Sequence, residues 1–229
     1  MEPIEVNQIG DAVFCNLKFA LKTQFGDIRT PEKERGRKLR QVVPEVIASR
    51  GASRTDLAKV RERYEEGKPF RAWNLRLNSE ELGLQGRPTL VDYDSKSLSV
   101  YKTSSGLVRQ AENANYGAAV WDDEGAQLIA FGLLLRNLFQ KQQPRLFLVR
   151  VKDDFKSQLE SEDKGAFQAL LAHPRIEVPF SESSASDVQG LIDRMRSWRS
   201  DPAAATRNHD QDGKCRRCDY SIHCPEKLV

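Results

Sequence analysis

Apolar side chains recur every three to four residues in some stretches of the chain and every second residue in others, which separates helices from strands. A first helix over residues 11–22 carries Cys15, Leu17, Phe19 and Leu21, and a turn follows at Gly26 and Asp27. A second helix opens at Pro31, where a missing amide is harmless at the first helical position, and Leu39, Val42, Val43 and Val46 form its apolar stripe. Pro44 kinks or ends it. Thr55 and Asp56 can cap a third helix through about Glu66, with Leu57, Val60 and Tyr64 facing inward.

The rhythm then changes. Residues 70–77 alternate apolar and polar, and 89–93 and 98–102 predict two short strands joined by a turn from Asp94 to Ser97. A long helix over 123–139 carries Leu128, Phe131, Leu134, Leu135 and Leu138, a face wide enough to lie against a sheet. Residues 146–151 predict another strand, and helices follow over 161–173 and 185–199. In the last of these Val188, Leu191, Ile192, Met195 and Trp198 keep strict helical spacing, whereas 201–213 is polar and predicts a loop. The order predicts an α/β fold in which a mixed β-sheet is flanked by helices on both sides. No glycine-rich phosphate loop interrupts it.

Composition refines this picture only slightly. With 229 residues, 39% hydrophobic and 30% charged, the chain is long enough for one globular domain with a charged surface. Within it, 1–66 forms an N-terminal helical part, 67–180 the core and 181–229 a C-terminal helix and tail. The longest apolar run, 128–135, is far too short to cross a bilayer, so no membrane partner is expected. The N-terminus lacks the basic segment and apolar stretch of a secretory signal, which predicts a cytoplasmic protein. With 36 basic against 33 acidic residues, any case for nucleic-acid binding must rest on local clusters.

The cytoplasm is reducing, and four cysteines there are more often metal ligands or buried thiols than disulfides. Cys215, Cys218 and Cys224 are spaced C-x2-C-x5-C, so a tight loop can turn three sulfurs toward one point, while Cys15 lies two hundred positions upstream. Thiolates are soft ligands that suit zinc or an iron–sulfur cluster, and ordinary core or surface thiols are the remaining reading. His223, beside Cys224, reads as a surface residue rather than a ligand.

A lone cysteine in an early helix, a strand-bearing core and the C-x2-C-x5-C tail together resemble the RecB-like iron–sulfur nucleases of the PD-(D/E)XK superfamily. That group includes CRISPR-associated spacer-acquisition exonucleases, the AddB subunit and the nuclease domain of the eukaryotic replication helicase-nuclease. The resemblance covers nearly the whole chain. It implies a restriction-endonuclease-like fold whose terminal segments meet at a 4Fe–4S cluster held by Cys15, Cys215, Cys218 and Cys224, with zinc as the alternative.

The family also carries a Gly-x-x-Asp strand, an (Asp/Glu)-x-Lys strand, a Gln-x-x-x-Tyr helix and an upstream Gly-x-x-x-His. The counterparts here are Gly86 to Thr89, Val100 to Lys102, Gln127 to Phe131, and Gly36 to Arg40. In the family the carboxylates and the His hold Mg or Mn, and the Lys positions the attacking water. Thr89, Val100 and Arg40 stand at those ligand positions, so only Lys102 survives. A valine offers a hard cation no oxygen, and an arginine adds positive charge where the cation belongs. Cleavage is therefore not expected unless a carboxylate such as Asp92, Asp94, Glu112 or Glu124 has moved into the site, in which case Mg or Mn returns as cofactor.

DNA binding can outlast cleavage, because phosphate contacts need only basic and polar donors. Candidate contacts are Lys33, Arg37 and Arg40 on one helix face, Lys102 with Thr103, Ser104 and Ser105, Gln127, and Lys214, Arg216 and Arg217 beside the cysteines. Phe131, Tyr101 and Trp121 read as core aromatics before base-stacking platforms. The resulting expectation is a degenerate, DNA-binding or scaffold subunit of a larger DNA-processing or CRISPR-type defence assembly. The alternatives are an active exonuclease with relocated carboxylates and a protein-interaction subunit without DNA contact. The cluster is expected to be a structural clasp, since it closes almost the whole chain into one loop.

Overall fold

The computed structural model describes residues 2–28, 30, 34, 56–105, 120–140, 143–151 and 166–228. The chain opens with strand β1 (Ile4–Glu5) and helices α1 (Val6–Phe14) and α2 (Asn16–Phe25). Helix α3 (Leu57–Glu65) precedes strands β2 (Phe70–Trp73), β3 (Leu77–Ser79), β4 (Leu84–Gly86), β5 (Leu90–Tyr93) and β6 (Leu98–Ser105). Helix α4 (Asp122–Phe139), strand β7 (Arg145–Val151), helix α5 (Ala166–Leu171), strand β8 (Arg175–Val178) and helix α6 (Glu182–Ser200) follow. A 3-10 turn at Pro202–Ala204 and the short helix α7 (Asp212–Arg216) lead into the tail.

Five strands form one mixed sheet in the order β2-β5-β6-β7-β8, in which only the β6–β7 pair is parallel. A parallel pair needs a crossover, and α4 supplies it. Period-two alternation then sorts the side chains. Val91, Val100, Leu146 and Leu148 face the main core with Leu128, Ile129 and Leu135 of α4, whereas Leu90, Tyr101, Phe147 and Val149 face a second cluster with Leu170 of α5. Helix α4 also packs under α1, α6 and the smaller sheet β1-β4-β3, which is why it is apolar on nearly every side. Among the described residues no helix is long and apolar enough to cross a membrane.

The α/β architecture of a mixed sheet flanked by helices matches the expectation, but several boundaries differ. The helix expected over 11–22 is two helices, broken at Cys15, whose extended backbone (φ −164°, ψ 127°) ends α1 and starts α2. No proline or glycine marks that break. The strand expected over 70–77 splits at Asn74, which takes a left-handed conformation (φ 48°) and donates its amide to the Thr89 carbonyl, so that Leu77 joins the smaller sheet instead. Helix α6 begins before Ala185 because Ser181 and Ser184 cap it reciprocally. The short strands β1, β4 and β8 carry too few residues to show a period. Within the expected 201–213 loop lie the 3-10 turn and the start of α7. The helix expected from Pro31, with Lys33, Arg37 and Arg40, falls almost wholly outside the described residues, as do Glu112 and the start of the helix expected over 161–173.

Gly86 closes β4 where the smaller sheet meets α4. A Cβ there would stand 2.8 Å from Val6 Cγ2 and 2.9 Å from Phe131 Cε1, both in the core. Gly86→Ala is therefore expected to destabilise the protein by about 1–3 kcal/mol, read as a lower urea midpoint with unchanged slope. Gly10 offers the internal control. A Cβ there meets the amide end of Gln127, a flexible group that can move aside, so Gly10→Ala costs less.

Candidate functional site

Strands β6 and β7 end together beside the first turn of α4, and three layers of side chains fill that corner. Val100 is fully buried in the main core, Lys102 follows it half-buried, and Ser104 lies next along the same face. Register pairs Ser104 with Arg150 of β7. Arg150 reaches across to Glu124 of α4 in a two-pronged ion pair, Nη1 to Oε1 at 2.6 Å and Nη2 to Oε2 at 2.7 Å. Ser104 Oγ donates to the same carboxylate, and the Trp121 amide donates to Oε2 at 3.3 Å, closing the helix cap. Burial pushes the Glu124 carboxyl up, but the hydrogen bonds from Arg150 and Ser104, with the nearby Lys102 charge, outweigh it and hold Glu124 below the usual range.

Asp123 stands one residue earlier. Burial raises its carboxyl pKa and the Glu124 charge raises it further, while the Lys102 ammonium opposes both. Asp123 was not among the carboxylates singled out by sequence. The acidic run Asp122-Asp123-Glu124 was visible, but at a helix start such a run reads as dipole complementation.

The family-motif positions are otherwise occupied. The Thr89 hydroxyl lies 3.0 Å from the Thr103 hydroxyl and accepts from the Thr103 amide at 3.0 Å, so it is used in holding β6. Of the carboxylates considered as migrants, Asp92 pairs with Arg71 at 3.0 Å, with the Arg71 guanidinium lying over the Phe167 ring of α5 on the far side of the sheet. Asp94 accepts from the Lys96 and Ser97 amides in its turn, and those bonds hold its carboxyl below the usual range. Glu124 does reach the corner, but already bound to Arg150. Gln127 sits one helical turn beyond Asp123, its amide against Gly10 of α1. Phe131 is core, and Tyr101 stacks on Phe147 at 5.0 Å in the second cluster. Trp121 departs from the core reading, since it is 47% exposed at the mouth of the corner.

At the opposite end of α1 the four cysteines line one cavity, although Cys15 and the tail are two hundred positions apart. Cys15 enters at the α1–α2 break, Cys215 from α7, and Cys218 and Cys224 from the turns that follow. No disulfide joins them, and burial raises the thiol pKa of Cys218 and Cys224. Polar contacts stitch the tail to the early helices independently of the thiols. The Tyr220 hydroxyl donates to the Gly26 carbonyl at 2.5 Å, Lys214 Nζ donates to the Phe14 carbonyl at 3.4 Å, and Asn208 accepts from the Asn16 amide at 3.1 Å.

Phe14, Leu17 and Leu21 supply apolar wall, and Lys18, Arg207 and Lys227 are the cationic members of the lining. Among the described residues no three His, Cys, Asp or Glu side chains group tightly enough to hold a single metal ion. His223 is exposed and stacks on Phe25 at 5.0 Å, in keeping with a surface residue. Arg216 and Arg217 are exposed near the cavity, the first paired with Asp212 at 2.9 Å and the second donating to the Gly213 carbonyl at 3.1 Å.

A family model describing the PD-(D/E)XK nuclease superfamily matches residues 13–225. Among solved structures, one titled "Crystal structure of SSO0001" is similar with a TM-score of 0.51 at 12% identity, covering 100% of this chain and 89% of that one, a likeness of fold alone. No curated protein matches the chain.

Proposed function

The chain belongs to the PD-(D/E)XK nuclease superfamily, and from that premise we propose that it is a catalytically degenerate, RecB-like iron–sulfur member that binds DNA or docks as a scaffold onto a DNA-processing or CRISPR-type defence assembly in the cytoplasm. One observation carries the degenerate reading. The corner where the superfamily gathers carboxylates around a metal holds Thr89, Val100 and a Glu124 already neutralised by Arg150. The Arg150 guanidinium thus already engages both Glu124 oxygens, which a divalent cation would need as ligands. Lys102 in β6 remains as a phosphate contact, with Gln127 deeper in and the sequence candidates Lys33, Arg37 and Arg40 as further DNA contacts.

A second reading has its own support. Asp123, half-buried near Lys102, is a carboxylate in the right corner for an active exonuclease using Mg or Mn.

The four cysteines are assigned in this proposal to a 4Fe–4S cluster, with zinc as the alternative. A soft four-thiol donor set fits either metal, but zinc draws its ligands to one point at about 2.3 Å. The resemblance to iron–sulfur nucleases, with all four thiols lining one cavity, favours the larger group. When bound, the cluster supplies a crosslink between the helix break and the tail. Cys15, Cys215, Cys218 and Cys224 hold it, the apolar wall keeps water from it, and the Tyr220 and Lys214 contacts bring the two segments together.

The test is a cleavage and binding assay on labelled single-stranded and duplex DNA with Mg2+ or Mn2+. No cleavage is expected, and binding should weaken with salt. Lys102→Ala should lower affinity across sequences and reduce the salt slope by about one. Cleavage lost in both Lys102→Ala and Asp123→Asn would establish the active reading instead. Absence of salt-sensitive binding would leave the protein-interaction subunit.

A further inference from the structure

The loop between the 3-10 turn and α7 places Arg207 in the wall of the thiol cavity. Its backbone is fixed there, since the Arg207 amide donates to Glu226 Oε2 at 3.0 Å, just beyond Cys224. Its side chain is less settled. Nε and Nη1 are buried and have no hydrogen-bond acceptor among the described residues.

An arginine cannot escape that predicament by losing its proton, and burying charged donors without acceptors costs more than burying unpaired neutral ones. The cavity lining includes no carboxylate, and the neighbouring Glu226 accepts from the Arg207 backbone amide rather than from Nε or Nη1. Its charged lining consists of Lys18, Arg207 and Lys227, and Lys18 already pairs with Asp11 at 3.0 Å. An apolar pocket with a cationic rim, four thiols and two unanswered N–H groups is built for an anionic, sulfur-rich occupant.

We propose that Arg207 donates its Nε–H and Nη1–H to sulfur atoms of the thiolate-held cluster, offsetting the cluster's negative charge and raising its reduction potential. The inference rests on the iron–sulfur reading above and goes beyond it by naming the residue that sets the state of the centre. Hydrogen bonds to the sulfurs and local charge are main determinants of such potentials. One-electron reduction adds a negative charge, so a fixed guanidinium with two donors stabilises the reduced form more than the oxidised one.

The experiment uses the full chain, loaded anaerobically, as wild type and as Arg207→Lys, Arg207→Gln and Arg207→Leu. Iron content and visible absorbance establish loading, and a dye-mediated dithionite titration gives the midpoint potential. Arg207→Leu should shift the one-electron equilibrium at least tenfold toward the oxidised form, about 59 mV more negative, with Arg207→Gln intermediate and Arg207→Lys nearest wild type.

A second readout separates this contact from a merely structural role. Without the cluster, Arg207→Leu should leave the urea midpoint unchanged or raise it, because it removes buried donors that have no acceptor. With the cluster, the same variant should lose iron to a chelator several-fold faster. An unchanged potential in iron-loaded Arg207→Leu or Arg207→Gln overturns the inference, and so does a destabilised cluster-free Arg207→Leu. A wild-type protein that binds zinc or no metal overturns the cluster reading itself, a distinct failure.

Discussion

Arg150→Met is expected to destabilise the protein by about 3–5 kcal/mol, the largest effect of any single substitution away from the cysteines. The side chains of Arg150 and Glu124 are only 7% and 9% exposed, and both guanidinium contacts are short. Removing Arg150 leaves Glu124 buried with the Ser104 and Trp121 hydrogen bonds and the Lys102 charge to answer it, while Asp123 beside it adds like charge. The double variant Arg150→Met/Glu124→Gln should recover most of the loss, since an ion pair replaced on both sides no longer strands a charge.

Urea titration across pH checks the sign. Glu124 has a folded pKa below its ordinary 4.5, so the pair's contribution is fully present above about pH 4.5 and is lost as pH falls through the lower folded value. Wild type should therefore weaken in that acid window by an increment the double variant lacks. An Arg150→Met loss under 1 kcal/mol at neutral pH would mean that the pair does not seal the corner.

The sheet and its long crossover helix were legible because Val100, Tyr101, Leu146 and Phe147 alternate and α4 is apolar on more than one face. The break at Cys15 was not, since no local residue enforces it and the contacts that favour it come from the tail. Asn74 shows the same limit from the other side. A left-handed asparagine is a local option, but what selects it is the Thr89 carbonyl fifteen residues on. In the corner, the missing ligands at Thr89 and Val100 could be read from a motif. Arg150 could not, because it reads as one more residue of an apolar strand until register sets it beside Ser104 and across from Glu124. Arg207 carries no motif at all, and only its buried, unanswered nitrogens draw attention to it.

Cys15→Ala should have consequences at both ends of the chain. In the proposed cluster-bound form it removes the one proposed ligand that ties the α1–α2 break to the tail, and with it a crosslink closing about two hundred residues. The chain-entropy relation gives such a closure about 5 kcal/mol, so the urea midpoint should fall steeply while the brown chromophore and the iron are lost. Although Cys15 is itself a member of the main core, the sheet should survive, because Val91, Val100, Leu146 and Leu148 remain covered by α4 and the second face by Leu170 of α5. Hydrogen exchange should therefore accelerate first in α7 and the segments around Cys218 and Cys224, where the Tyr220–Gly26 and Asn16–Asn208 bonds are left as the main ties, and only later in the strands. Because Cys15 ends the helix that lies against Gln127 and Asp123, DNA affinity should decline with it in the proposed reading. Unchanged stability and iron in Cys15→Ala would mean that the tail cysteines act alone, and the clasp would then have no first half.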